Sequence, residues 1–134
     1  MAEKKLGQQT VKFNNPPSII STASIAGIKE GEGPLRDYYD MVLKDDLFGE
    51  ESWEKAESKL SRETVLLSLS KANLTPDKID YLFAGDLLNQ IISSSFSARE
   101  LKIPFFGLYG ACSTMTESLS MASMVIDGGY ADYA

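Results

Sequence analysis

Gly107-Leu108-Tyr109-Gly110-Ala111-Cys112-Ser113-Thr114-Met115 reads as the end of an apolar strand, a tight turn and the start of a helix. Just upstream, residues 103–109 are almost continuously apolar, the pattern of a strand covered on both faces, with Pro104 tolerated near its beginning. Downstream, Met115, Leu119, Ala122 and Ile126 share one helical face, while Ser118, Ser120 and Ser123 keep other sides narrow. That spacing predicts a helix over about residues 112–127, packed closely within the domain. Asp127-Gly128-Gly129 stops it, and residues 130–134 read as the approach to another strand.

Working back from this unit, Ile79-Asp80-Tyr81-Leu82-Phe83-Ala84 predicts a second strand, ended by Gly85-Asp86. Leu87, Leu88, Ile91 and Ile92 then continue at helical spacing to about Leu101, with Ser93-Ser94-Ser95 lowering the propensity. Thr75-Pro76-Asp77 forms a turn that delivers the chain into the strand. From Ser52, a good N-cap, to Ala72 the pattern is strongly helical, and Trp53, Ala56, Leu60 and Leu67 form a stripe read as core. Residues 45–51 are an acidic linker. Pro34 opens a predicted helix carrying Leu35, Tyr38, Tyr39 and Val42 on one face, after a glycine-rich loop at 27–33. Residues 9–13 and 18–26 read as strands separated by Asn14-Asn15-Pro16-Pro17. The alternation of strands and helices predicts an α/β fold with right-handed crossovers on a largely parallel sheet. The final strand has barely begun at Ala134, so the chain is expected to be the first part of something longer.

At 134 residues, 43% hydrophobic and 24% charged, the composition is that of a single globular domain. No apolar run approaches the roughly eighteen residues of a spanning helix, and the N-terminus lacks the apolar stretch of a secretory signal. One cysteine cannot form an internal disulfide, which points to a reducing, intracellular setting. Thirteen basic against nineteen acidic residues give a net charge of −6, which argues against sequence-independent nucleic-acid binding. The sequence contains no histidine, so the commonest general base and metal ligand is missing, and a zinc site is discounted.

Cys112 at the first turn of a helix meets the positive end of the helix dipole and free N–H groups, which lower a thiol's pKa and hold anions. This is the logic of a strand-turn-helix nucleophile, although a nucleophile needs a base and no histidine is present. A free cysteine here equally reads as a small buried hydrophobe. Asp86 and Asn89 should open on the same sheet edge, where ligands of α/β proteins bind, and each also reads as a helix cap. Arg99 is an anion partner or a structural ion pair.

Three runs carry a family resemblance: Ala84-Gly85-Asp86-Leu87-Leu88-Asn89-Gln90, Ala98-Arg99-Glu100-Leu101-Lys102-Ile103-Pro104, and Gly110-Ala111-Cys112-Ser113-Thr114. They are similar to the N-terminal half of thiolase-fold proteins. Together with Glu32-Gly33-Pro34-Leu35 and Ile126-Asp127-Gly128-Gly129, they make the chain resemble, from Gly7 onward, the thiolase-like sporulation proteins of spore-forming Firmicutes. The resemblance implies a three-layer α-β-α arrangement with a mixed, mostly parallel sheet, of which residues 1–134 are the N-terminal half. It also implies a non-catalytic protein of spore formation that binds dipicolinic acid (pyridine-2,6-dicarboxylate) and assists its uptake into the developing spore. Other proteins of the same sporulation operon would be its partners, and its place would be intracellular, peripheral to the spore inner membrane. A homodimer through residues 103–109 is implied as well.

Cys112 matches the thiolase nucleophile, but Ser113-Thr114-Met115 replaces the small, glycine-containing run of enzymatic thiolases, and the family's catalytic histidine and second cysteine belong to the other half. The alternative is therefore a thiolase-type acyltransferase or condensing enzyme that uses Cys112. A flat aromatic dianion asks for N–H or cationic donors and an apolar slot. The expected ligand-binding residues are Cys112, Ser113, Thr114, Asp86 and Asn89, with Tyr109 or Phe106 as wall.

Overall fold

The computed structural model describes residues 3–88 and 90–134 as a mixed α/β protein. Its strands are short and pair in three separate two-stranded sheets: β1 (Lys5–Leu6) antiparallel to β2 (Thr10–Val11), β3 (Ile25–Ala26) parallel to β4 (Met41–Val42), and β5 (Leu82–Ala84) parallel to β6 (Phe105–Gly107). Parallel pairing thus predominates as expected, but the pairs do not join into one continuous sheet. The helices are α1 (Ile28–Gly31), α2 (Trp53–Lys71), α3 (Ile92–Leu101) and α4 (Thr114–Asp127).

The expected helix after Pro34 does not form. A single 3₁₀ turn, Arg36–Tyr38, is followed by extended backbone at Tyr39 and by β4. The cause lies elsewhere in the chain: the Asp40 carboxylate accepts the Ser24 N–H at 2.8 Å and pairs with Lys71, while the N–H groups of Asp40 and Met41 donate to the Ser24 carbonyl. These bonds draw 40–42 alongside β3, and a helix would have to break them.

The expected strand over 18–26 shortens to Ile25–Ala26 for the converse reason. Ser21 Oγ donates to the Ser68 carbonyl and Lys71 Nζ to the Thr22 carbonyl, so the segment is tied to the end of α2 and has no ladder partner. Ile19 and Ile20 remain exposed. Residues 130–134 do not form a strand either, but Asp80 holds them in place: its N–H donates to the Tyr133 carbonyl, and its carboxylate accepts the N–H groups of Asp132 and Tyr133.

α2 begins where its N-cap predicts, with the Lys55 N–H donating to Ser52 Oγ at 3.3 Å. It packs along α3, and the buried residues at this contact are small: Ala56 and Ser58 on α2, Ser93, Ser97 and Ala98 on α3. Close approach of two helices through serines and alanines leaves bulky side chains on the flanks. Trp53, expected in the core, is 59% exposed, and Leu60 and Leu67 are only half-buried. The buried apolar core is instead assembled from Ala26, Leu43, Ile91, Leu101 and Ile103, together with the helix-contact alanines. The close packing expected around α4 is likewise absent, since Met115, Leu119 and Met124 are all exposed.

Candidate functional site

Because β5 and β6 run parallel, their carboxyl ends lie at one edge, and the turns into α3 and α4 leave from it together. The Leu108 N–H extends the ladder by donating to the Ala84 carbonyl at 2.9 Å. Gly85 is pressed against the Leu108 carbonyl and the Thr114 methyl, so a Cβ there would overlap backbone. The structure therefore brings the Asp86 turn and the Cys112 turn into contact, as the strand-end argument requires.

Asp86 is a cap. Its Oδ1 accepts the Ile91 N–H at 3.1 Å, and its Oδ2 accepts the N–H and hydroxyl of Ser94 at 2.8 and 2.7 Å. The bonds form because Gln90 and Ile91 take left-handed conformations, with φ of 56° and 67°, which fold the turn back over the carboxylate and delay the helix to Ile92. A β-branched residue in this region is strained. Ile91 tolerates it because its side chain is buried against Gly107. Asn89, the other expected residue of this turn, lies outside the described residues.

On the second turn, Ala111 is also left-handed, with φ of 48°, and Ala111–Ser113 form a 3₁₀ turn ahead of α4. Cys112 is a free, exposed thiol, which overturns the reading of it as a buried hydrophobe. Ser113 Oγ donates to the Gly110 carbonyl at 2.7 Å. Thr114 Oγ1 is shut off from solvent and has no hydrogen-bond partner among the described residues, a state that leaves its desolvation uncompensated. α4 has no side-chain cap, but Glu117, in its first turn, sets Oε2 against Gly110. A carboxylate at that place complements the helix dipole. Glu117 was not singled out from sequence, although an acidic residue in a first turn is a readable signal; Ile91 gives no such signal.

Arg99 and the two aromatic residues expected as a wall occupy distinct places. Arg99 lies over the Phe96 ring, 4.6 Å from its centroid, and makes no ion pair among the described residues, so the structural ion pair is not formed. Phe106 stacks on Phe83 at 5.1 Å, whereas Tyr109 is 78% exposed beside the second turn. Among the described residues no group of acidic or thiol ligands is arranged for a metal, and no helix is long and apolar enough to cross a membrane.

The family model described as Stage V sporulation protein AD matches residues 7–134. A stage V sporulation protein AD from Bacillus subtilis (strain 168) is 44% identical over 131 residues, which is 98% of this chain and 39% of that protein. The chain thus spans about two fifths of the length of this relative.

Proposed function

Because the chain belongs to the stage V sporulation protein AD family, a family of sporulation proteins, we propose that it is a thiolase-like, non-catalytic binding protein that takes up dipicolinic acid during spore formation. The proposed architecture is the three-layer α-β-α arrangement, with residues 1–134 as its N-terminal half. The observation that supports the reading is the contact of the two turns at the carboxyl ends of β5 and β6, where the Thr114 methyl lies against Gly85 while its Oγ1 is buried with no partner among the described residues. The proposed contacts are the Ser113 hydroxyl, the backbone N–H groups at the start of α4, the Cys112 thiol and Asn89. Tyr109 forms an aromatic wall, and Asp86 shapes the site through its hold on α3. The negative carboxylate of Glu117 must move aside or be offset by a cation from the rest of the protein. Partner proteins of the same operon would hold the protein at the spore inner membrane, and residues 103–109 would pair with a second copy.

Calorimetric titration of the full chain with dipicolinate tests the reading. A saturable heat that is lost in Ser113→Ala/Thr114→Val supports it, and no saturable heat sinks it. The exposure of Cys112 favours a second reading, acyl transfer through this thiol. Incubation with acyl thioesters followed by intact-mass measurement separates the two, because only acyl transfer leaves an adduct that Cys112→Ala abolishes.

A further inference from the structure

Glu117 lies in the first turn of α4, and its side chain reaches back to the start of that helix. A Cβ built on Gly110 would overlap Glu117 Oε2 and would stand 2.7 Å from Ser113 Oγ and 3.1 Å from the Thr114 backbone nitrogen. The carboxylate oxygen, the serine hydroxyl and the first nitrogen of α4 therefore surround one small space beside Gly110. Gly110 has φ of −81°, a value open to residues with a side chain, so the glycine serves to leave this space free rather than to shape the backbone. Glu117 is exposed and makes no ion pair among the described residues. The positive end of α4 attracts its carboxylate to this place, a weak hold for a group in contact with solvent.

The Ser113 hydroxyl and the N–H groups at the start of α4 are the contacts proposed above for dipicolinate. A ligand carboxylate set against them stands where Glu117 Oε2 already is, and two carboxylates that share a site repel. We propose that Glu117 sets the strength and charge selectivity of binding at this turn: in the free protein its carboxylate holds the place of a ligand carboxylate, and binding is an exchange in which Glu117 swings out as the ligand enters. The inference rests on the reading of this turn as the dipicolinate site and adds to it the residue that opposes the ligand. After the exchange the displaced carboxylate is still tethered to the first turn of α4. Its repulsion therefore grows with the negative charge of the ligand and vanishes for a neutral one.

The full chain and its Glu117→Gln variant are titrated calorimetrically at neutral pH with dipicolinate, picolinate and pyridine-2,6-dicarboxamide, which share the ring and carry two, one and no negative charges. Glutamine keeps the shape of the side chain and removes its charge. The variant is expected to bind dipicolinate about tenfold more tightly and picolinate about threefold, with no gain for the diamide, the scaling of a screened like-charge repulsion. Raising the salt to about 1 M should narrow the dipicolinate gain, because the Debye length falls to about 3 Å. Simple relief of crowding would move all three ligands alike and would be indifferent to salt. Glu117→Ala, at the same exposed position, provides the comparison if Glu117→Gln loses its helical circular dichroism. Equal dipicolinate affinity in the two proteins, weaker binding by the variant, or an equal gain with the diamide overturns the exchange and leaves the dipicolinate site standing. No saturable heat from either protein sinks both.

Discussion

Both carboxylate oxygens of Asp86 are engaged by the first turn of α3, so its first role is to build the site's frame. Removing the carboxylate frees the N–H groups of Ile91 and Ser94 and releases the strain at Ile91 into a different turn. Asp86→Ala is therefore expected to lower stability by about 1–2 kcal/mol, the range for a lost N-terminal cap, read as a reduced denaturant midpoint at unchanged slope. Gly85 carries a separate constraint. With the Leu108 carbonyl where a Cβ would stand, Gly85→Ala must push the two turns apart, and about 1–3 kcal/mol of destabilisation is expected, the scale of overpacking. An unchanged midpoint in Gly85→Ala would mean that the turns are not held in contact. The capping role of Asp86 was legible as one of two readings, because an acidic residue between a strand and a helical pattern suits a helix cap as well as a ligand contact at the sheet edge. The left-handed Ile91 was not, because only its burial against Gly107 makes that conformation tolerable.

The elements divide by where their hydrogen bonds go. α2 and α4 satisfy their backbone internally, so periodicity and the Ser52 cap sufficed to find them. Ser52→Ala should destabilise by about 1 kcal/mol, seen in the thermal midpoint. The short strands and the 34–42 segment depend on remote partners such as Ser24 and Lys71, and sequence-local reasoning could not supply them. The N-terminal hairpin of β1 and β2 is a further case. Lys4 pairs with Asp127 at 2.6 Å at the end of α4, and the Asn15 N–H donates to the same carboxylate at 2.7 Å. The Lys4 ammonium, then the Asn15 N–H, hold the Asp127 carboxyl below its ordinary value of 3.8. The stabilisation is fully present above that unfolded value and is lost as pH falls through the lower folded value. Amide exchange over residues 4–15 is expected to accelerate in that window, and in Asp127→Asn to be fast at every pH. A pH-independent protection of the hairpin in the unmodified protein would contradict this clasp.

Across the whole molecule, apolar surface is distributed unusually. Met115 is 74% exposed, Leu119 46% and Met124 44% on α4, while the contact between α2 and α3 buries serines. The proposed pairing through residues 103–109 predicts concentration-dependent sedimentation toward a dimer, shifted to monomer by Phe106→Lys. A monomer at all concentrations would remove the pairing. The sequence by itself determined the class and order of the main elements, the two turns at the strand ends and the family, because periodicity, caps and the Gly-Ala-Cys-Ser-Thr run are local properties of the chain. Only the tertiary structure decided that Cys112 is exposed, that Asp86 faces α3, that Trp53 is exposed and that 34–42 is not helical. Each of these depends on which distant residue meets the chain there, through the small-residue contact of α2 with α3, the Asp40 bonds and the packing of Ile91 on Gly107, and a linear pattern carries no record of that.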